Sequence, residues 1–370
     1  MTTGVKNMTS RYIAGIQDPR RGQALAGRKT MAELTVGAGL ARGLIGLAVS
    51  KGADGAELAA RAGIELADLE DQDNRVTMPR YIALMRAAKE MTGDPALALH
   101  WGETVDLAEV SIVGLIMNAS ETMMDAFVQM NRFGRLAIEW EGDTNKPRFQ
   151  QALKDGAAWL VDTRGNPNDF PELTEVTFAR QTCGPRRFLP RPHVLEVHVT
   201  HEAPAYRAEY DRIFQCPVVF GSSWNAMRMD MTLASHRVQL QPRYVFGVLS
   251  ERAEQLLRNL ENARTARGRV ESLLMPILHT GEIAMDTIAS KMALSRTTLL
   301  RRLKAEGVTF EQVLDELRHQ LALHYLSGKK ASVNETAYLV GFSDPASFSR
   351  AFKRWTGRSP REVRAASMLN

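Results

Sequence analysis

The chain has 370 residues, of which 44% are hydrophobic and 24% charged, so its composition is that of a globular protein and excludes a disordered one. This length predicts two domains. The apolar run GLIGLAV at 43–49 is too short to span a bilayer, and we expect no signal peptide. Cys183 and Cys216 are too few for a disulfide framework, which favours a cytoplasmic protein with two buried thiols.

The net charge of +5 is unevenly distributed along the chain. Residues 265–370 contain 16 Lys and Arg against 10 Asp and Glu, a net charge of +6, which leaves −1 for the rest. A concentrated basic segment is typical of a protein that binds a polyanion, because neutralised phosphates release counterions. Chance variation in surface composition is the alternative.

Residues 1–32 are rich in Gly, Arg, Thr and Gln, which predicts a flexible tail. An α+β domain is predicted for 33–231, with its helices first. MPRYIALMRAAKEM at 78–91 has a helical apolar stripe formed by Tyr81, Leu84, Met85 and Ala88.

A second helix is predicted in ASETMMDAFVQMNRF at 119–133, with Ser120 as its N-cap. Its apolar side chains recur at helical spacing, and they are Met123, Met124, Phe127 and Met130. We predict that this stripe fills the core. A flexible wall that adapts to a ligand is the alternative, since methionine suits both roles.

From 147 to 231 the pattern changes to the period of two that is typical of strands. PRFQQALKDGAAWLVDTR predicts a hairpin that turns at Asp155 and Gly156. Further strands are predicted in LTEVTFA at 173–179, HVLEVHVT at 193–200, CPVVFGSS at 216–223 and AMRMDM at 226–231, with a helix in PAYRAEYDRIF at 204–214. The sheet is expected to be mostly antiparallel.

Residues 232–264 are predicted to form a linker with a connecting helix, YVFGVLSERAEQLLRNLENA. Its broad apolar face consists of Val245, Val248, Leu249, Leu256 and Leu260. This face would pack between domains or pair two subunits. From 265 to 370 short helices alternate with tight turns, which predicts an all-α domain of helix-turn-helix units.

The same plan occurs twice in this last domain. MDTIASKMALSRTTLLRRLKAEG at 285–307 aligns with VNETAYLVGFSDPASFSRAFKRWTG at 333–357 when Ala289 is matched to Ala337, and the second copy has one more residue in its turn. Ser295 is the predicted N-cap of the first copy's second helix, and Ser343 or Asp344 that of the second copy. Gly341 is expected to adopt positive φ, and the helices are expected to end at Gly307 and Gly357.

Each second helix has a core face and an exposed face. The predicted core side chains are Leu299 and Leu303 in the first copy, and Phe348, Ala351, Phe352 and Trp355 in the second. The exposed faces repeat one spacing, with Thr297, Leu300, Arg301 and Lys304 in the first copy and Ala346, Ser349, Arg350 and Lys353 in the second. Such a face suits a helix that lies in the major groove of DNA. Two solvated surface helices are the alternative, which the repetition inside a basic domain disfavours.

Between the copies, TFEQVLDELRHQLALHYLSG at 309–328 predicts one long helix. Its apolar stripe consists of Phe310, Val313, Leu314, Leu317 and Leu321. A rigid spacer of this kind would hold two recognition helices for successive major grooves, about 34 Å apart.

Residues 267–366 resemble the DNA-binding domain of the AraC/XylS family of bacterial transcription regulators. IASKMALSRTTLLRRLKAEG and AYLVGFSDPASFSRAFKRWTGRSPREVR carry the resemblance, and Leu294 stands where glycine is frequent. The resemblance implies seven helices and two helix-turn-helix units, and it places the base contacts on the eight exposed residues named above. Leu300, Ala346 and Pro345 are poor hydrogen bonders, so recognition there would use thymine methyl groups or DNA shape. Arg296, Arg302 and Arg354 are predicted phosphate contacts.

Residues 34–230 resemble the arabinose-binding-type effector domain of one branch of that family, through TGDPALALHWGE and YDRIFQCPVVFG. We therefore predict an effector-responsive transcription activator in the cytoplasm, associated with the nucleoid. Its expected partners are operator DNA, a small-molecule effector, RNA polymerase and a second copy of the chain, and no membrane. The residues that bind the effector are not predicted. The alternative is an effector-independent DNA-binding regulator whose first domain serves only for dimerisation or protein contacts.

The sequence predicts no enzyme, no cofactor and no metal site. A DNA-repair methyltransferase with a similar DNA-binding domain would need a cysteine cluster, whereas Cys183 and Cys216 are 33 residues apart. His193, His198 and His201 with Glu196 could suggest a metal site, but any half-exposed strand gives this spacing. The glycines at 37–46 lack the spacing of a nucleotide-binding loop.

Overall fold

The computed structural model describes residues 34–140, 146–238, 243–263, 265–281, 283–327 and 331–366. The chain divides between Leu257 and Arg258 into two compact units, called here the first and the second unit. The predicted tail at 1–32 lies outside the described residues. The two-domain architecture, α+β and then all-α, is confirmed.

The first unit begins with a helical part. A short strand β1 (Thr35–Gly37) pairs antiparallel with β2 (Arg75–Thr77). The helices are α1 (Ala38–Ser50), α2 (Gly55–Ala62), α3 (Met78–Thr92), α4 (Leu97–Thr104), α5 (Leu107–Val110), α6 (Ile112–Asn118) and α7 (Met123–Ala137). The predicted stripe of α3, formed by Tyr81, Leu84, Met85 and Ala88, is buried, which confirms the assignment.

The start of α7 differs from the prediction. Thr122, not Ser120, is its N-cap, because the side chains of Thr122 and Asp125 bond reciprocally to each other's backbone N–H. Ser120 is buried and its Oγ donates to the carbonyl of Ile116 at 2.9 Å, so it belongs to the end of α6.

A five-stranded sheet follows, in the order β3-β4-β7-β5-β6. Its strands are β3 (Phe149–Lys154), β4 (Ala157–Asp162), β5 (Val194–His198), β6 (Val218–Val219) and β7 (Asn225–Met229), and only the β5–β6 pair is parallel. The predicted hairpin is confirmed, since Asp155 and Gly156 have φ of 54° and 75° between β3 and β4. The helix α9 (Arg207–Phe214) also lies where it was predicted.

The strand predicted at 173–179 is wrong, because these residues belong to α8 (Glu172–Arg186). Polar residues of α8 that looked outward-facing are buried with partners, as when Glu175 accepts from the hydroxyls of Tyr206 and Tyr210 at 2.8 and 2.6 Å. Helix α4 approaches α8 closely at Gly102, where a Cβ would lie 2.4 Å from the carbonyl oxygen of Val176. A helix that is buried on most sides shows no clear helical period of apolar residues. The sequence of α8 was therefore mistaken for that of a strand.

The connecting helix α10 (Arg243–Asn262) packs on the core of the first unit through Phe246, Leu249 and Ala253. The predicted apolar face is therefore partly wrong, since Val248 is 50% exposed. Ion pairs of Arg252 with Asp73 and of Glu254 with Arg132 fix the helix on this core.

The second unit contains seven α-helices among its described residues. They are α11 (Ala266–Leu274), α12 (Met285–Lys291), α13 (Arg296–Ala305), α14 (Phe310–Ser327), α15 (Val333–Leu339), α16 (Pro345–Thr356) and α17 (Pro360–Ala366). Leu299, Leu303, Phe348 and Phe352 are fully buried, as predicted. The caps are Ser295 and Asp344.

The two turns adopt the same left-handed conformation at matched positions. Gly341 has φ of 80°, and a Cβ there would lie 2.1 Å from the carbonyl oxygen of Leu278. In the first copy the matching residue is Ala293, with φ of 54°. The position that favours glycine is therefore 293 and not Leu294.

Both cysteines are free and half-buried, rather than buried as expected. Across the described ranges, every helix is too short or too polar to cross a membrane.

Candidate nucleic-acid interface and an apolar cavity

The exposed faces of α13 and α16 lie as the sequence predicted. On α13 the exposed residues are Thr297, Leu300, Arg301 and Lys304. On α16 they are Ala346, Arg350 and Lys353, while Ser349 is half-buried and its Oγ donates to the carbonyl of Pro345 at 2.8 Å. Seven of the eight predicted base-contacting residues are thus exposed, and the Ser349 hydroxyl can still accept hydrogen bonds.

The basic side chains of these faces are available for an external anion. Arg301, Lys304 and Lys353 make no ion pair or hydrogen bond within the described ranges, and Arg350 only donates to the Ser347 hydroxyl at 2.9 Å. Among the described residues, no carboxylate therefore competes with an external anion for them.

Two of the three predicted phosphate contacts are already paired. Arg296 binds Asp286 at 2.8 Å and Arg354 binds Asp315 at 2.9 Å. All four side chains are largely exposed, and an exposed ion pair of this kind is worth about 0–1 kcal/mol. Either arginine could exchange its carboxylate for a phosphate at little cost, whereas Arg302 has no such partner among the described residues.

Sequence reasoning missed Arg318 on α14, which holds the turn of the second helix-turn-helix unit. Its guanidinium donates to the carbonyls of Val340 and Gly341 at 3.1 and 3.2 Å and stacks over Phe342. Burial lowers the pKa of Arg318. The one signal in the sequence was that Arg318 lies beside the apolar stripe of α14, the helix predicted as a spacer.

Sequence reasoning also missed Glu306, the C-cap residue of α13. Its carboxylate accepts from the backbone N–H groups of Ala266 and Arg267 at 2.6 and 2.9 Å. These N–H groups belong to the first turn of α11, where negative charge is stabilising. Helix α13 is thereby fixed to the start of the second unit.

The first unit contains a cavity of about 440 Å³, partly open to solvent, between α5–α8, the sheet and the segment 229–238. Six methionines line it, and they are Met117, Met123, Met124, Met130, Met229 and Met231. Met123, Met124 and Phe127 are only half-buried because they face this space. The predicted filling of the core is therefore wrong for Met123 and Met124, whereas Phe127 also packs against the core beneath the sheet.

Arg180 of α8 is a cation without a partner in the cavity wall. It is half-buried, and it makes no hydrogen bond or ion pair to any described residue. Burial and the nearby charge of Arg148 together lower its pKa to about 10, so the guanidinium remains charged at neutral pH. Arg187 also lines the cavity, but it is exposed.

The carboxylates that line the cavity already have partners. Asp106 accepts from the backbone N–H of Ala108 at 2.9 Å, and Asp230 pairs with Arg191 at 3.1 Å. Buried Asp162 lies in a separate cluster, where Arg148 and Arg164 bind it at 2.8 and 2.9 Å. Although burial acts to raise it, these two arginines lower the pKa of Asp162 to about 2. One carboxylate therefore faces two arginines, and the charge of Arg180 remains uncompensated.

One wall of the cavity is the segment 231–238, which we call the strap. It is fixed to the start of α7, where the N–H groups of Met123 and Met124 donate to the carbonyls of His236 and Ala234, both at 2.9 Å. Met231, Leu233, Ala234 and Val238 of the strap contribute to the lining. Four residues, 239–242, which lie outside the described ranges, separate the strap from α10.

The histidines considered for a metal site do not come together. Glu196 and His198 bond to each other at 3.0 Å, His201 bonds to Tyr210 at 3.0 Å, and His193 lines the cavity. No group of three potential metal ligands occurs in the parts of the chain that the structure describes.

Two helix-turn-helix units beside a separate α+β unit define a two-domain DNA-binding transcription regulator. Residues 52–238 match the family model described as the arabinose-binding domain of AraC transcription regulators, and residues 288–366 match a helix-turn-helix domain. The chain belongs to the AraC family of transcription regulators.

Several known proteins are similar to this chain. The chain is 26% identical to the ornithine utilization regulator of Pseudomonas aeruginosa over 307 residues, which cover 80% of this chain and 87% of that protein. It is 38% identical to the transcriptional activator RhaS of Escherichia coli over 117 residues, or 30% of this chain and 41% of RhaS. The solved structure of the regulator CdpR from Pseudomonas aeruginosa matches with 21% identity and a TM-score of 0.35, over 76% of this chain and 90% of that one.

Proposed function

We propose that this regulator reads DNA with α13 and α16, which enter successive major grooves. The contacting residues would be Thr297, Leu300, Arg301, Lys304, Ala346, Ser349, Arg350 and Lys353. The observation that supports this most is the repetition of one exposed face, with an arginine and a lysine at matched positions that no described carboxylate neutralises.

The chemistry of each face indicates what it would recognise. Arg301 and Arg350 can each bridge O6 and N7 of a guanine. Leu300 and Ala346 offer only apolar contact, which suits the methyl group of thymine. Arg296, Arg302 and Arg354 would bind phosphates and set the register without reading sequence.

We propose further that the cavity of the first unit is the effector site. Its volume of about 440 Å³ lies in the range of small-molecule sites, roughly 300–1,000 Å³. The strap supports a link to DNA binding, because it lines the cavity and then continues into the connecting helix. A ligand that shifts the strap would change how α10 sits on the first unit.

A cavity-filling variant tests this site. Ala158 of β4 lines the cavity, whereas its neighbour Ala157 does not, since successive residues of a strand point to opposite faces. Purified wild-type protein is first screened against a metabolite panel for compounds that raise the melting temperature. We expect Ala158→Leu to abolish the response to these compounds and Ala157→Leu to keep it. A full response in Ala158→Leu would favour the effector-independent alternative.

The same proposal includes two protein partners. We propose that the chain forms a homodimer, and the exposed Tyr244 and Val248 of α10 support this, at 82% and 50% exposure. We also propose that it activates transcription by contacting RNA polymerase, which the similarity to a transcriptional activator supports.

A further inference from the structure

We infer that the cavity binds an amphipathic monoanion, a small molecule with an apolar body and one carboxylate, and that Arg180 pairs with this carboxylate. The inference rests on the effector role proposed for the cavity. It goes beyond that role by naming the class of ligand and the residue that selects it.

The charges around the cavity lead to an anion. A buried charge without a partner is costly, so a protein retains one where a ligand or a function supplies the partner. Asp106 and Asp230 are already engaged, and Arg180 is not. A bound carboxylate would complete the pair with the two parallel hydrogen bonds that a guanidinium offers.

The number of charges limits the ligand to a single negative charge. Arg187 is exposed, so solvent already screens its cation, which leaves one uncompensated cation inside. A phosphate monoester would bring nearly two negative charges and leave one unpaired beside apolar side chains. A monocarboxylate matches the single positive charge of Arg180.

The rest of the wall selects an apolar body. Besides the six methionines, Phe127, Leu160 and Leu233 line the cavity. Methionine side chains are flexible and polarisable, so they adapt to aliphatic or aromatic groups. The volume of about 440 Å³ corresponds to the space of roughly fifteen water molecules, which suits a molecule with on the order of ten to twenty non-hydrogen atoms.

The test uses the full-length chain and two matched pairs of probes, decanoate with decanol and butylbenzoate with butylbenzyl alcohol. Calorimetry at neutral pH gives the affinity of each probe. We expect at least one carboxylate to bind roughly 10- to 100-fold more tightly than its alcohol, the effect of a hydrogen-bonded ion pair. In Arg180→Met this preference should disappear while the alcohol binds as before, and Arg187→Met should keep the preference.

Melting of the unliganded variants shows whether Arg180 is instead a structural residue. Removing an unpaired charge from an apolar wall should leave the melting temperature of Arg180→Met equal to or above that of the wild type. If Arg180→Met does not fold, the structural role is established and the inference is wrong. Arg180→Lys, which retains the charge, should preserve a weaker preference for the carboxylate.

The remaining outcomes separate this inference from the proposed effector role. If alcohols and carboxylates bind wild-type protein equally and Ala158→Leu abolishes both, the cavity is a ligand site and the choice of an anion is wrong. A preference for the carboxylate that persists in Arg180→Met would show that another residue binds it. If none of the four probes binds, the amphipathic class is wrong, whereas failure of the whole metabolite panel would also remove the effector role.

Discussion

At the scale of single residues, the side chains proposed to read DNA differ from those that stabilise the fold. Arg301 and Arg302 are neighbours on α13, and both are exposed. Only Arg301 lies on the face that repeats on α16. We expect Arg301→Ala to cost about 1–3 kcal/mol of operator affinity at one base pair.

The control for this prediction is Arg302→Ala. It should weaken binding to all sequences alike and lower the salt dependence by about one counterion. Equal loss of sequence preference in the two variants, measured by titration of operator and scrambled DNA, would remove Arg301 from the reading face.

The core faces give a second prediction. Leu303 and Phe352 are fully buried in the second unit, and truncation of such side chains costs about 2–5 kcal/mol. Leu303→Ala and Phe352→Ala should therefore lower the melting temperature and reduce binding to every DNA sequence. Leu300→Ala is the control, since Leu300 is 42% exposed and should leave stability nearly unchanged. A Leu303→Ala variant that stays stable but prefers a different DNA sequence would show that the core face and the exposed face of α13 have been exchanged.

The exposed faces of α13 and α16 could be predicted from sequence because helical spacing alone determines which residues share a face. Arg180 could not, since its importance depends on what surrounds it. Its helix was mistaken in part for a strand, and no local pattern shows that Asp106 and Asp230 have partners of their own. Thr122 illustrates the same limit, because Ser120 looks equally suited to cap a helix until the backbone bonds are known.

At the scale of the elements, the two turns of the repeated units predict opposite effects at one matched position. Gly341 needs a left-handed backbone and has the Leu278 carbonyl where a Cβ would lie, so Gly341→Ala should lose more than about 1 kcal/mol of unfolding free energy. Ala293 already has φ of 54°, so Ala293→Gly should be neutral or stabilising by up to about 1 kcal/mol. Denaturant unfolding of both variants measures this. Destabilisation of similar size in both would contradict the equivalence of the turns.

The type of an element was predicted correctly where it has one clear apolar face, and wrongly where it has none. Helix α3 and the β3–β4 hairpin are each buried on one side, so their patterns gave the correct type. Helix α8 is buried on most sides, and Met123 and Met124 of α7 face a cavity instead of the core. A cavity is a property of several elements together, which a pattern within one element does not reveal.

At the scale of the whole molecule, the division at Arg258 predicts two separable activities. A fragment from Arg258 to Asn370 should fold alone, because its core consists of its own residues, and it should bind operator DNA with steep salt dependence. It should not respond to effectors. Sedimentation should find this fragment monomeric and a fragment ending at Leu257 dimeric. A monomeric first fragment would contradict dimerisation through the first unit.

The central claim is that two equivalent helices read two separate parts of one operator, and one measurement tests it directly. Binding sites are selected from random DNA with wild-type protein, with Arg301→Ala and with Arg350→Ala, and base preferences are compared position by position. We predict that each variant relaxes the preference at a different position, and that the two positions lie about one helical turn, or 34 Å, apart. Relaxation of the same base pair by both variants, or of none by either, would contradict the claim.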